Sequence, residues 1–80
     1  MEKGTELINI PLMRRAVIES ISDNNPLKSR MESMGITEGA EIIPLFKSPF
    51  GDPIAYGVSG SVIALRSSDC RGIIVMESRF

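Results

Sequence analysis

Short runs of β-branched and aliphatic residues, broken every few positions by glycine, proline or small polar residues, fill most of this chain. Runs of this kind favour β-strands, and the breaks between them favour turns. We predict five strands, at residues 15–22, 41–47, 54–58, 61–66 and 72–76. The last hairpin is joined by Ser59-Gly60, with Gly60 supplying the conformational freedom of a tight turn. The chain is therefore predicted to be mainly β, with an antiparallel meander in its second half.

One segment departs from this strand pattern and predicts a helix. Asn25-Pro26 is a typical helix start, because asparagine is a good N-cap and proline suits the first helical position. Three apolar side chains then fall on one stripe, Leu27, Met31 and Met34. Gly35 stands where a left-handed residue ends a helix, with Ile36 placed to contact Met31. We predict one short amphipathic helix over residues 26–34.

Several predicted strands are apolar on both faces. Ile42 and Ile43 point to opposite sides of their strand, and Val62 and Ile63 do the same. Such strands are typical of a small closed or nearly closed β-barrel covered by a helix. Pro44 lies inside a strand and therefore predicts a sheet edge or a bulge. Residues 67–69 favour one short helical turn before the last strand.

Length and charge limit what this barrel can do. Eighty residues with 42% hydrophobic content predict one globular domain over residues 1–80. Nine basic residues against ten acidic residues give a net charge of -1, which argues against binding nucleic acid. The lone Cys70 makes no intramolecular disulfide, and we expect its thiol to pack in the core. No segment reads as an export signal or a membrane span, so we expect a cytoplasmic protein that is not membrane-embedded.

The residue types present leave little room for catalysis or metal chemistry. With no histidine and one cysteine, a single chain assembles neither a nucleophilic triad nor a tetrahedral zinc site. The acidic residues show no recurring spacing of paired carboxylates, and no phosphate-binding glycine loop is present. We expect no catalytic residue, no metal site and no cofactor, and we interpret the chain as a non-enzyme that works by binding another protein.

The best candidate for a binding surface is the segment Ser48-Pro-Phe-Gly-Asp-Pro53. Hairpin tips are usually polar, so an aromatic residue at such a tip is a candidate contact with a partner. Phe50 is therefore the first candidate, together with its neighbours Pro49, Gly51 and Asp52. Phe50 alternatively folds back to cap one end of the barrel, and the sequence leaves both interpretations open. Tyr56 in the following strand is a weaker candidate of the same kind.

Four motifs in order resemble the FeoA family. The run Leu27-Lys-Ser-Arg-Met-Glu-Ser-Met-Gly-Ile-Thr-Glu-Gly39 is similar to the family's helix and turn, which end in Leu/Met-Gly-hydrophobic-x-x-Gly. Residues 48–54, Val62-Ile-Ala-Leu-Arg66 and Gly72-Ile-Ile-Val75 are similar to its hairpin, its aliphatic-x-Leu-Arg strand and its closing strand. The resemblance covers roughly residues 7–76. We assign structural roles to Pro26, Gly35, Gly39 and Gly60.

The resemblance implies an SH3-like barrel that supports or regulates ferrous-iron uptake in bacterial cytoplasm. Its implied partner is the cytosolic GTP-binding region of the FeoB-type membrane transporter, and a weak homo-oligomer is left open. Transition metal ion binding is a term attached to the family, although no residue here is assigned to a metal. The alternative is an SH3-like regulatory domain of the kind found in iron-dependent repressors, whose helix-turn-helix and metal-binding histidines this chain lacks.

Overall fold

The computed structural model describes residues 4–78, and the ends of the expected 1–80 domain, residues 1–3 and 79–80, lie outside the described residues. Six strands run in the order β1 (Thr5–Glu6), β2 (Ala16–Ile21), β3 (Glu41–Lys47), β4 (Ile54–Val58), β5 (Ser61–Leu65) and β6 (Ile73–Glu77). One helix, α1 (Lys28–Ser33), and two short 3₁₀ helices, Leu7–Asn9 and Ser67–Cys70, complete the described part of the chain. The prediction of a mainly β fold with one short helix is confirmed.

The strands form a single antiparallel sheet in the order β1-β6-β2-β3-β4-β5. The predicted five strands are all present, and β1 is the addition. It pairs Thr5 with Val75 and Glu6 with Ile74, so the chain's first described strand docks on its last. A two-residue strand without an apolar pattern gives no local signal, because its extended form depends on this distant partner.

The two consecutive hairpins β3-β4 and β4-β5 form the predicted meander. The strands β3 and β4 pair from Ile42 opposite Val58 to Lys47 opposite Ile54, with a register shift between Pro44 and Phe46. Pro44 therefore lies at a bulge, as its sequence position predicts. The bulge places Phe46, rather than Leu45, opposite Ala55.

The helix begins two residues later and ends one residue earlier than the predicted range 26–34. Pro26 and Leu27 form a turn before it, closed by the Lys28 amide, which donates to the Asn25 carbonyl at 3.1 Å. The Asn25 side chain accepts a hydrogen bond from the Leu27 amide at 2.8 Å, and Leu27 itself has φ -103° and ψ 11°, outside the range of an α-helix. At the other end the Ile36 amide donates to the Met31 carbonyl at 2.9 Å, and the Gly35 amide donates to the Glu32 carbonyl at 3.1 Å. This pair of bonds is a Schellman ending, with Gly35 at φ +89°.

The core lies on one side of the sheet and is closed by the helix. Met31 is completely buried there, and the flanking Leu27 and Met34 are partly buried against the same cluster. Its other members come from every longer strand, namely Ala16, Ile18, Ile21, Ile42, Ile54, Tyr56, Val58, Leu65, Ile73 and Val75, and from the loops and 3₁₀ helices, namely Leu7, Ile10, Ile36 and Cys70. The expected burial of Cys70 is confirmed, with 1% of its surface exposed.

Candidate partner-binding site

The loop that joins β3 to β4, residues 48–53, is closed by its own backbone. The Ser48 amide donates to the Pro53 carbonyl at 3.0 Å, and the Gly51 amide donates to the Ser48 carbonyl at 2.8 Å. The Ser48 hydroxyl donates to the carbonyl of Asp52 at 2.6 Å. These bonds fix a compact turn whose outermost residues are Pro49, Phe50 and Gly51, all exposed.

Asp52 ties this loop to a second element of the fold. Its Oδ1 accepts a hydrogen bond from the Ser67 amide at 2.8 Å, and its Oδ2 lies 3.4 Å from the Ser67 hydroxyl. Ser67 is the first residue of the second 3₁₀ helix, where an amide without a helical partner is available. Asp52 therefore serves the loop as a positioning residue, because its carboxylate is occupied by the protein itself.

Phe50 is 97% exposed at the tip of this loop. An aromatic side chain that caps a barrel would be largely buried, so the structure removes the capping interpretation that the sequence left open. A fixed loop presenting a large apolar side chain loses little conformational entropy when it binds a partner. Pro49, Phe50 and Gly51 are thus brought together as one surface, with Asp52 beneath them.

Tyr56 does not belong to that surface, and its assignment as a partner contact is wrong. Its side chain is 1% exposed, since Tyr56 alternates with Ala55 and Gly57 and shares the inward face of β4 with Ile54 and Val58. Burial raises the pKa of the Tyr56 phenol above its usual value.

The Tyr56 hydroxyl finds its polar neighbour inside the core, where the Cys70 Sγ lies 3.9 Å away. Burial raises the pKa of the Cys70 thiol to about 11. A thiol with this pKa remains protonated near neutral pH, and protonated thiols are poor nucleophiles and poor metal ligands. Cys70 therefore acts here as a core residue.

A second polar junction, at Asn25, was not recognised from sequence beyond its role at a helix start. Asn25 is 5% exposed, and its Nδ2 donates to the carbonyls of Asp69 and Arg71, both at 2.9 Å. These bonds fasten the start of α1 to the second 3₁₀ helix. The Asp52–Ser67 bond fastens the loop 48–53 to the same 3₁₀ helix, so both elements share one anchor.

Titratable groups show no cluster suited to chemistry within residues 4–78. No group of three or more histidine, cysteine, aspartate or glutamate side chains is placed to hold a metal ion in that part of the chain. The ion pairs Arg14–Glu77 and Lys28–Asp23 lie at the surface. No helix in the described part of the chain has the length and apolar character that crossing a membrane requires.

The sheet, its helix α1 and the anchored loop define a small SH3-like barrel with an exposed aromatic side chain at one loop tip. The family model described as the FeoA domain matches residues 5–77. The chain therefore belongs to the FeoA family, which is associated with ferrous iron transport. A search among curated proteins found no match.

Solved structures agree with this family. The FeoA-like protein from Clostridium acetobutylicum is 31% identical, with a TM-score of 0.86, over 96% of this chain and 90% of that one. FeoA from Stenotrophomonas maltophilia, an SH3 domain protein complexed with zinc, is 28% identical, with a TM-score of 0.74, over 92% of this chain and 89% of that one. A manganese-dependent transcriptional repressor is 21% identical, with a TM-score of 0.85, over 98% of this chain and 38% of that one, which shows a shared fold alone.

Proposed function

We propose that this protein is a cytoplasmic, non-enzymatic accessory protein of bacterial ferrous-iron transport. Its partner in this proposal is the cytosolic GTP-binding region of the FeoB-type transporter, and its contact is the loop 48–53. The observation that carries the proposal is the 97% exposure of Phe50 on a loop tied down by Asp52. Membership of the FeoA family supports the link to iron transport.

The chemistry of the described residues supports binding rather than catalysis. The one thiol is buried and protonated, and the carboxylate nearest the loop tip, that of Asp52, already accepts a backbone hydrogen bond. The loop therefore offers its partner an aromatic ring flanked by Pro49 and Gly51, which fits an apolar pocket. Aromatic side chains at the centre of an interface often contribute most of its binding free energy.

The likeness to the repressor does not favour a second function. It rests on the barrel alone, at an identity of 21%. The chain has no histidine, and its one described helix of six residues provides no helix-turn-helix. We therefore retain the transporter as the proposed partner.

The test is a binding measurement with the transporter's soluble cytosolic region, with and without guanine nucleotide. We expect Phe50→Ala to raise the dissociation constant at least about fivefold, which corresponds to about 1 kcal/mol. The melting temperature of the variant should stay close to that of the unmodified protein. The Phe50 side chain is 97% exposed, so its removal leaves no cavity in the core. Leu12→Ala is a suitable control, because Leu12 is an exposed apolar residue outside the loop.

Two results would overturn the proposal in different ways. Failure of the unmodified protein to bind the cytosolic region in any nucleotide state would remove the proposed partner. Equal affinity of Phe50→Ala and the unmodified protein would retain the partner and remove the loop 48–53 as its contact.

A further inference from the structure

The sheet ends at β5, and this edge is open. β5 pairs with β4 in a regular register without a bulge, and no other strand within residues 4–78 pairs with its far side. Sheet edges are usually protected by short strands, charged residues, proline or bulges, because an open edge recruits other chains. The strand at the opposite edge, β1, is two residues long. The sequence of β5, Ser-Val-Ile-Ala-Leu, contains none of these protective features.

The turn before β5 determines which of its backbone groups face the open edge. Ser59 and Gly60 have φ of +51° and +79°, as in the type I′ turn of a two-residue hairpin. The residues that flank such a turn form a hydrogen-bonded pair, and bonded and non-bonded pairs then alternate along the two strands. Val62 and Ala64 fall in the non-bonded pairs, so their N–H and C=O groups point away from β4. Both residues are exposed.

This open edge is short, because it is closed at both ends. The β4-β5 turn closes it before Val62. Beyond Ala64 the next residue whose groups would point outward is Arg66, and its groups are already bonded. The Arg66 amide donates to the Asp69 Oδ2 at 3.1 Å, and the Arg66 carbonyl accepts from the Asp69 amide at 2.9 Å. The edge therefore suits a short extended segment.

Beside this edge, β5 and α1 enclose a crevice of about 120 Å³. Its apolar walls are Ile63 and Leu65 from β5 and Leu27, Met31 and Met34 from α1. Leu27, Met34 and Ile63 are only partly buried, so they present apolar surface to an occupant. A cavity of about 150 Å³ is large enough for benzene, so this crevice admits a single aliphatic side chain.

Two charged residues, Arg30 and Asp69, also line the crevice. The Asp69 carboxylate already accepts a hydrogen bond from the Arg66 amide. The Arg30 side chain is exposed, and it belongs to neither ion pair of residues 4–78, which are Arg14–Glu77 and Lys28–Asp23. The charge that is free to meet an occupant is therefore positive, which favours a carboxylate on the occupant.

We propose that β5 accepts an extended segment of a partner protein as an added strand, with an aliphatic side chain in the crevice and a carboxylate beside Arg30. An extended backbone supplies donors and acceptors at the two-residue spacing that Val62 and Ala64 present, which a helix does not. The residue opposite Ile63 in the added strand points to the same face as Ile63, and therefore into the crevice. Backbone groups, crevice and charge thus define one kind of occupant.

The proposal is independent of the loop 48–53 and of iron transport, so a synthetic peptide is the probe. In the peptide acetyl-Thr-Val-Thr-Val-Thr-Glu-amide, the valines and the glutamate share one face of an extended strand. We expect it to bind at up to millimolar concentration, with the largest shifts of backbone amide resonances at Val62 and Ala64 in an NMR titration.

Two N-methylated versions of this peptide test the strand geometry. One carries methyl groups on the threonine amides, and the other carries them on the valine and glutamate amides. In an added strand one of these sets points at β5 and the other points away. Methylation of one set should therefore abolish binding, and methylation of the other set should leave the affinity within about threefold of the parent peptide.

Substitutions at the edge test the same contact from the protein side. Ala64→Pro removes an N–H that points away from β4, so it should keep the hairpin and the melting temperature. It should weaken peptide binding at least about tenfold, because it removes a hydrogen bond and places a ring on the edge. Val62→Pro makes the same change at the other open position, so the test does not depend on one variant folding.

Substitutions of charge test the assignment of Arg30. Arg30→Glu should weaken binding of the glutamate peptide up to about fivefold and strengthen binding of the same peptide ending in lysine. Arg15→Glu makes the same change of charge at an exposed position before β2, outside the crevice, and should alter neither affinity. Phe50→Ala should also leave peptide binding unaltered, so a failure of the loop 48–53 as a contact is distinguishable from a failure of this edge.

Three outcomes would overturn the proposal. Absence of binding at millimolar peptide would show that β5 accepts no added strand. Equal effects of the two N-methylated sets would show that the peptide does not bind as a strand. Dimerisation of the protein that is abolished by Ala64→Pro, without peptide binding, would show that the edge pairs with another copy rather than with a partner.

Discussion

Substituting Gly35 by alanine tests whether the end of α1 is held as the structure shows. Gly35 has φ +89°, a conformation in which a Cβ costs about 1 to 2 kcal/mol. An added Cβ would also lie 3.4 Å from the Ser59 Cβ, an ordinary contact, and 2.9 Å from the Ser59 Oγ, which is too close. Ser59 sits in the β4-β5 turn, so its hydroxyl would have to rotate away, or the helix end and the turn would have to move apart.

Gly39 supplies a closely matched control. Its φ is +87°, and an added Cβ there meets nothing within 4 Å. Gly39→Ala therefore carries the backbone cost alone, about 1 to 2 kcal/mol. Gly35→Ala carries the same cost plus the crowding against Ser59, for which overpacking gives about 1 kcal/mol or more. We expect a total loss of about 2 to 4 kcal/mol at Gly35.

The assay is denaturant unfolding at neutral pH, supported by thermal melts. For a domain of this size 1 kcal/mol corresponds to about 4 to 8 °C in melting temperature, so the two variants are readily separated. Ser59→Gly, which removes the crowding atoms, should return the Gly35→Ala variant toward the stability loss of Gly39→Ala. A loss at Gly35 equal to or smaller than the loss at Gly39 would refute the close approach of the helix end to the β4-β5 turn.

Two further predictions concern the core and its polar junction. Asn25→Ala should lower the free energy of unfolding by about 2 to 4 kcal/mol, because it leaves the carbonyls of Asp69 and Arg71 and the Leu27 amide without their side-chain partner. The control Asn24→Ala, at an exposed position, should change it by less than about 0.5 kcal/mol. Equal effects of the two substitutions in denaturant unfolding would refute the anchoring role of Asn25. Between pH 9 and 11 the unfolded chain loses the Cys70 proton while the folded chain, with its pKa raised to about 11, retains it. The folded state then binds more protons, so stability falls as pH rises, by up to about 2 to 3 kcal/mol for this group, and denaturant unfolding of Cys70→Ala across that range should show a shallower fall. An identical pH profile for Cys70→Ala and the unmodified protein would contradict the buried thiol.

Local patterns predicted most of the fold because most of its elements are locally determined. The meander follows from aliphatic runs separated by turn residues, and the end of α1 follows from Gly35 and Ile36, whose bonds to Glu32 and Met31 span a few positions. The start of α1 lies two residues later than predicted because the turn at Pro26 and Leu27 is closed by a bond from the Lys28 amide to the Asn25 carbonyl, which spans three residues rather than the four of an α-helix. The strand β1 exists only through its pairing with β6, and no pattern within Thr5-Glu6 encodes that pairing.

The candidate site was predicted less completely than the fold. The bond from Asp52 to Ser67 joins residues that are adjacent only after the hairpin packs against the second 3₁₀ helix. Tyr56 was predicted to face a partner although the sequence carried the signal for the core. It lies two residues from both Ile54 and Val58, so the three side chains share one face of β4, and that face is buried. The exposure of Phe50 depends on which way the loop turns at its tip, and the sequence left that direction open.

The pairing of β1 with β6 has a much larger loop-closure entropy cost than the pairing of neighbouring strands. The β4-β5 hairpin closes a turn of two residues, whereas Thr5 meets Val75 only by closing nearly the whole chain. Loop-closure entropy grows with the logarithm of loop length, which makes the second contact about 3 kcal/mol more costly than the first when no other structure exists. That difference disappears once β2 to β6 are in place, because the ends of the chain are then already close. The meander is thus the part of the sheet that forms from local contacts, and β1 adds to a sheet that the other strands have assembled.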